Sequence, residues 1–165
     1  MFCNFFLLKY YLWHPYWFKL YKSIVMDDDK LIENFKFWVD QDVIYCKVLN
    51  DLTDLDDRYK AKDIEHIFLN KIFTLSKDVH MPILIDLKDL NFSNAIKAFT
   101  FLSKNTLIKS LVLSKTFLVN SYKLKMLLNI QSFVCNPSLP DVIFKDDKSA
   151  IQYCIEDNRT YNSLN

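Results

Sequence analysis

Polar and apolar residues alternate along the chain with two distinct periods, and the first segment with a clear one begins at Phe35. Phe35-Lys36-Phe37-Trp38-Val39 and Val43-Ile44-Tyr45-Cys46-Lys47-Val48-Leu49 flank the polar Asp40-Gln41-Asp42. This predicts two strands around a tight turn, a β-hairpin. Asn50 to Asp54 reads as a polar loop. Beyond it Ile64, Ile67, Phe68, Ile72 and Leu75 recur at helical spacing, with Lys62, Asp63, Glu65, Asn70 and Lys71 mostly opposite. The pattern predicts a long helix from about Asp56 to Ser76, capped through Thr53 or Asp54.

Pro82-Ile83-Leu84-Ile85-Asp86-Leu87 is almost wholly apolar, as a strand covered on both faces should be, and proline is tolerated at its first residue. Ser93 to Leu102 sets Ala95, Ile96, Ala98, Phe99 and Leu102 at helical spacing, with Ser93 the expected N-cap. Leu107 to Leu113 has strand character and Thr116 to Ile130 helical character. Pro137 and Pro140 bracket a loop, Val142-Ile143-Phe144 is a last short strand, and Asp147 to Glu156 a closing helix. Strands alternating with helices after a hairpin predict an α/β fold, a mixed, largely parallel sheet flanked by helices. Ile67, Phe68, Ile85, Phe99, Leu113 and Ile143 are the expected core. Met26 to about Ile155 reads as one domain and Glu156 to Asn165 as a polar tail.

Composition narrows the chemistry. Of 165 residues, 51% are hydrophobic, ample for a packed core. Lys plus Arg number 21 against 20 Asp plus Glu, so the basic excess expected of a nucleic-acid binder is missing and none is expected as partner. There is no glycine, which removes the standard P-loop, dinucleotide fingerprint and nucleophile elbow, each dependent on a residue without Cβ. Cys3, Cys46, Cys135 and Cys154 lie far apart with no C-x-x-C pair, so a reduced, cytoplasmic protein is expected. His66 and His80 share helical spacing neither with each other nor with a cysteine, so no metal or other cofactor is expected.

The first 25 residues differ from the rest. Met1 to Val25 carries ten aromatic residues and three lysines but no acid, and without those lysines the balance is 18 basic to 20 acidic, or −2. Lys9, His14, Pro15 and Lys19 break the roughly 18 to 20 apolar residues a spanning helix needs. A basic leader region and a small-residue cleavage site are also missing. Three readings stand: a membrane-interface segment, the chain's one expected route to a membrane; an extra element packed on the domain; or an upstream stretch preceding a true start at Met26. The last accounts best for the abrupt change at Met26-Asp27-Asp28-Asp29.

The order of hairpin then strand-helix units resembles a family of small bacterial proteins of the STAS type, the fold of the anti-sigma-factor antagonists. The resemblance covers about Leu31 to Ile155. It rests on Phe37-Trp38-Val39-Asp40 leading into Val43-Ile44-Tyr45, on Pro82-Ile83-Leu84-Ile85-Asp86-Leu87, on Ser114-Lys115, and on the segment from Pro140-Asp141-Val142 to Lys148-Ser149-Ala150. It implies a STAS-like sheet flanked by helices and binding of a protein partner rather than catalysis. The regulatory serine pair of those antagonists falls here on Ala95 and Ile96, so their phosphorylation switch does not carry over.

In open α/β sheets ligands bind beyond the carboxyl ends of the parallel strands. Those ends are expected to gather Asp86, Lys88 and Asp89, then Ser114 and Lys115, then Lys145 and Asp146. Ser114-Lys115-Thr116 at a helix N-terminus would hold an anion through free N–H groups, or Ser114 is an ordinary N-cap. Asp86 is either a perturbed acid or a strand-end cap paired with a lysine. No catalytic triad is nominated by spacing. The expectation is a non-enzymatic STAS-like interaction module; the alternative is a small-ligand or lipid-binding protein, or a small hydrolase, on the same kind of sheet. A deep apolar pocket ringed by polar groups would mark the alternative, and a shallow charged surface the first.

Overall fold

The computed structural model describes residues 34–49, 58–77, 79–135 and 141–164, and opens on the expected hairpin, β1 (Phe35–Asp40) and β2 (Val43–Val48). Phe35 pairs with Val48 and Asp40 with Val43, so Gln41 and Asp42 alone turn the chain. Their φ angles are 50° and 57°, the left-handed values that the two central residues of a type I′ hairpin turn adopt. A chain without glycine meets that demand with side chains that resist it.

Three more strands follow, β3 (Met81–Asp86), β4 (Val112–Leu118) and β5 (Asp141–Phe144). The sheet order is β1-β2-β3-β4-β5, antiparallel at the hairpin and parallel thereafter. Each new strand lies beside the last on the same side, so right-handed crossovers place the connecting helices on one face. These are α1 (Arg58–Ser76), α2 (Phe92–Lys104), the short α3 (Thr106–Leu111) and α4 (Tyr122–Cys135). Ile64, Phe68 and Ile72 of α1, Ala95, Ala98 and Phe99 of α2, Ile108 of α3, and Leu124 and Leu128 of α4 bury against Ile44, Cys46, Ile83, Ile85, Phe117 and Ile143. The residues between these in sequence point the other way. Val43, Tyr45, Leu84 and Leu118 are covered by Ala150 and Cys154 of α5 (Asp147–Leu164).

The α/β class, the mixed sheet and the opening hairpin are therefore as the pattern predicts. The departures cluster around β4. Leu107 to Leu111, expected as strand, is a helical turn instead, because the Asn105 side chain caps it by accepting the Ile108 N–H at 2.9 Å. The strand begins at Val112 and runs through Ser114-Lys115-Thr116, the residues expected to open a helix, and α4 starts only at Tyr122. Leu113 is consequently half-buried, whereas Ile67, Phe68, Ile85, Phe99 and Ile143 are buried. The N-cap of α2 is Asn91, whose Oδ1 accepts the Asn94 N–H at 2.9 Å, and Ser93 lies exposed inside the first turn. Helix α5 continues through the residues read as a polar tail, with Asn158 buried on its inner side. Residues 1–25, the loop with its caps Thr53 and Asp54, and the loop between Pro137 and Pro140 lie outside the described residues.

Candidate functional site

Four of the six candidate residues lie at the carboxyl ends of the parallel strands and two lie within β4. Strands β2 to β5 are parallel, so their carboxyl ends share one edge, and there β3 delivers Asp86, Lys88 and Asp89. Asp86 Oδ1 accepts the Lys88 backbone N–H at 2.9 Å, closing a tight turn as the strand ends. The Lys88 ammonium reaches Asp147 Oδ1 at 2.6 Å and lies 3.9 Å from Asp86 Oδ2. Lys47, near the end of β2, contacts Asp89 at 2.8 Å. Asn120, just past β4, donates from Nδ2 to the Lys88 carbonyl at 3.0 Å and ties the turn to the neighbouring strand. Lys145 follows β5 on this edge, but its ammonium rests 4.2 Å from the ring centre of Tyr122.

Electrostatics here follow the pairing. The hydrogen bond to Asp147 is the main cause holding the Lys88 pKa above the ordinary lysine value, and the bond to Asp89 does the same for Lys47. Hydrogen bonds from Ser149 lower the pKa of Asp146, at the start of α5. The edge is thus a solvent-facing mosaic of ion pairs. Lys47, Asp147 and Asn120 belong to it and were not singled out by sequence. For Lys47 a signal existed, since it sits one strand-repeat after Tyr45 near the end of the second hairpin strand.

Ser114 and Lys115 are not part of this edge. They occupy the amino-terminal half of β4 and, as neighbours in a strand, face opposite sides of the sheet. The expected helix N-terminus for anion binding is absent at these two residues, whose backbone groups lie in the sheet. Ser114 Oγ donates to Asp157 Oδ2 of α5 at 2.5 Å. Lys115 points under α2, its side chain fully buried, with Nζ 3.1 Å from Asp141 Oδ1. The same ammonium donates to the carbonyls of Leu102 and Ser103 at 2.9 Å each, and Ser103 Oγ donates to Asp141 Oδ2. Burial outweighs the attraction of Asp141 and pulls the Lys115 pKa down to about 8. This cluster has no opening to solvent at Lys115.

Among the described residues, depressions open on the surface at two places near the ends of the sheet. One of about 600 Å³ runs along α5 past Lys148, Ile151, Ile155 and Arg159, and ends at Asp147, where it meets the Lys88 pair. Another of about 420 Å³ lies at the opposite end of the sheet, among His80, Lys109, Val112 and Tyr161. Both mix charged and aliphatic walls. The thiols of Cys46 and Cys154 are buried, which raises the first well above the ordinary cysteine value and the second to about 11, so neither is a ready nucleophile. Among the described residues no group of three or more His, Cys, Asp or Glu is placed to hold a metal ion, and no helix is long and apolar enough to cross a membrane. No protein-family model matches the chain, and no curated protein matches it in sequence.

Proposed function

We propose that this chain is a non-enzymatic, STAS-like interaction module that binds a protein partner at the carboxyl edge of its parallel strands, without the serine switch of the anti-sigma-factor antagonists. The observation that carries this reading is the character of that edge. Lys47, Asp86, Lys88, Asp89 and Asp147 form ion pairs, exposed at Asp89 and Asp147 and half-buried at Lys47, Lys88 and Asp86, that continue into an open depression along α5. Such a surface offers alternating charges and aliphatic patches to another protein's surface, which steer and orient association. The sequential sheet order behind an antiparallel hairpin supports the STAS-like part of the reading.

The absence of the switch rests on Ala95 and Ile96. Neither has a hydroxyl, and Ala95 is buried in the core. Ser93 is free of the capping duty, which belongs to Asn91, so its phosphorylation is a fair test. The experiment is affinity capture from the native host with the full chain, comparing wild type, Lys88→Glu and Ser93→Asp. One partner captured by wild type, weakened about tenfold or more by Lys88→Glu and unchanged by Ser93→Asp, supports the reading. Indifference to Lys88→Glu removes the proposed surface, and loss of binding in Ser93→Asp restores a serine switch.

A further inference from the structure

Helix α4 carries an apolar stripe on the side that faces water, flanked by Lys123 and Asn129, as well as one on the side that faces the core. Leu124 and Leu128 are buried in the four-helix layer. On the opposite side Tyr122, Met126, Ile130 and Phe133 are 67, 66, 62 and 87% exposed, and Leu127 beside them 39%. Steps of four, four and three residues hold the first four on one stripe, roughly 16 Å long at about 1.5 Å of rise per residue. An apolar stripe along a helix normally packs against another element. Monomeric proteins seldom leave such a row in water.

We propose that this stripe is the interface of a two-fold homodimer, in which α4 packs antiparallel against α4 of a second copy. The stripe reads nearly the same in both directions: aromatic, aliphatic, aliphatic, aromatic. A two-fold axis crossing between Met126 and Ile130 sets Tyr122 against Phe133 of the second copy and Met126 against its Ile130, and the reverse contacts follow by symmetry. Charge points the same way. Lys123 and Lys125 lie in the first turn of α4 and the helix has no acidic residue. Antiparallel pairing brings these lysines to the last turn of the opposing helix, where the carbonyl ends carry partial negative charge, whereas parallel pairing would stack lysine on lysine.

The area is sufficient. With a large side chain offering on the order of 200 Å² when fully exposed, the five residues present roughly 600 Å² per copy. Complete burial of all five in both copies would remove about 1,200 Å², which reaches the lower bound for a specific interface. This inference does not rest on the ion pairs at Lys88, although Lys145 at the same end of the sheet packs on Tyr122 of the stripe.

Sedimentation equilibrium of the full chain at about 50 µM tests it. The expected mass is twice 19.7 kDa for wild type. Ile130→Glu and Phe133→Asp, both at exposed positions and checked for unchanged circular dichroism, should each return the mass to that of one copy. A wild type that stays at one copy overturns the proposal, and does so equally if it then cosediments with phosphatidylserine vesicles through α4. A dimer that survives both substitutions overturns it too, because its interface lies elsewhere.

Discussion

Lys115 Nζ lies 3.1 Å from Asp141 Oδ1, and both side chains are wholly buried. The two residues are register partners on β4 and β5, and the ammonium also caps the last turn of α2 through the carbonyls of Leu102 and Ser103. One cation thus joins two strands and a helix end at a point where no water can replace any of them. Removing one member strands the other's charge or leaves helix carbonyls bare.

Lys115→Met should therefore cost about 3 to 5 kcal/mol. The double change Lys115→Met with Asp141→Leu should recover most of that loss, since it removes the buried charge along with its partner. Urea denaturation of the three proteins measures both values. Equal losses in the single and double variants would show that the carbonyl contacts, not the ion pair, dominate.

The same lysine gives stability a pH dependence of unusual sign. Its folded pKa of about 8 lies below the ordinary 10.5, so between these values the unfolded chain binds more protons than the folded one. Stability from this group therefore rises as pH climbs from about 8 to 10.5. Cys46 and Cys154 oppose it above about 9, because their raised folded pKa values keep protons that the unfolded chain has lost. Subtracting the double variant, which retains both cysteines, isolates the lysine. The difference in unfolding free energy should move in favour of wild type across that window, and a flat difference would contradict the assignment.

Phe68 is fully buried, with its ring edge-on to Phe35 at 5.0 Å and to Phe37 at 5.1 Å. It joins α1 to the hairpin. Phe68→Ala should cost about 3 to 5 kcal/mol by denaturant titration. A loss below about 1 kcal/mol would mean that the hairpin packs independently of α1.

Asp42 holds φ at 57°, a value glycine adopts without penalty. Asp42→Gly should stabilise the chain by about 0.5 to 1 kcal/mol, less the entropy that glycine adds to the unfolded state. A rise in melting temperature of a few degrees, with no change in the denaturant slope, is the expected result.

Asn91→Ala should cost about 1 kcal/mol through loss of the α2 cap, and Ser93→Ala a few tenths at most. Thermal melts of the two variants separate the capping residue from its neighbour. A larger loss at Ser93 would return the cap to the serine.

Much of this architecture is written in local pattern. The hairpin follows from two apolar runs around a polar turn, β3 from an unbroken apolar run behind Pro82, and the inward faces of α1 and α2 from the spacing of Phe68, Ala95 and Phe99. These signals work because burial selects side chains at the period of the backbone itself. Strand β4 defeated the same reasoning. The run Phe117-Leu118-Val119 and the cap at Ser121, whose Oγ accepts the Leu124 N–H at 3.2 Å, place the helix start later, although Ser114, Lys115 and Thr116 look like its polar beginning. Their partners are Asp157, Asp141 with the carbonyls at the end of α2, and Cys154, each brought close only when helices close over both faces of the sheet. The same closure decides which acids and lysines meet at the strand ends, and leaves Met126, Ile130 and Phe133 of α4 exposed among the described residues. Periodicity determines which face of an element turns inward. Which polar groups that face can tolerate depends on partners remote in the chain, and only the tertiary structure supplies them.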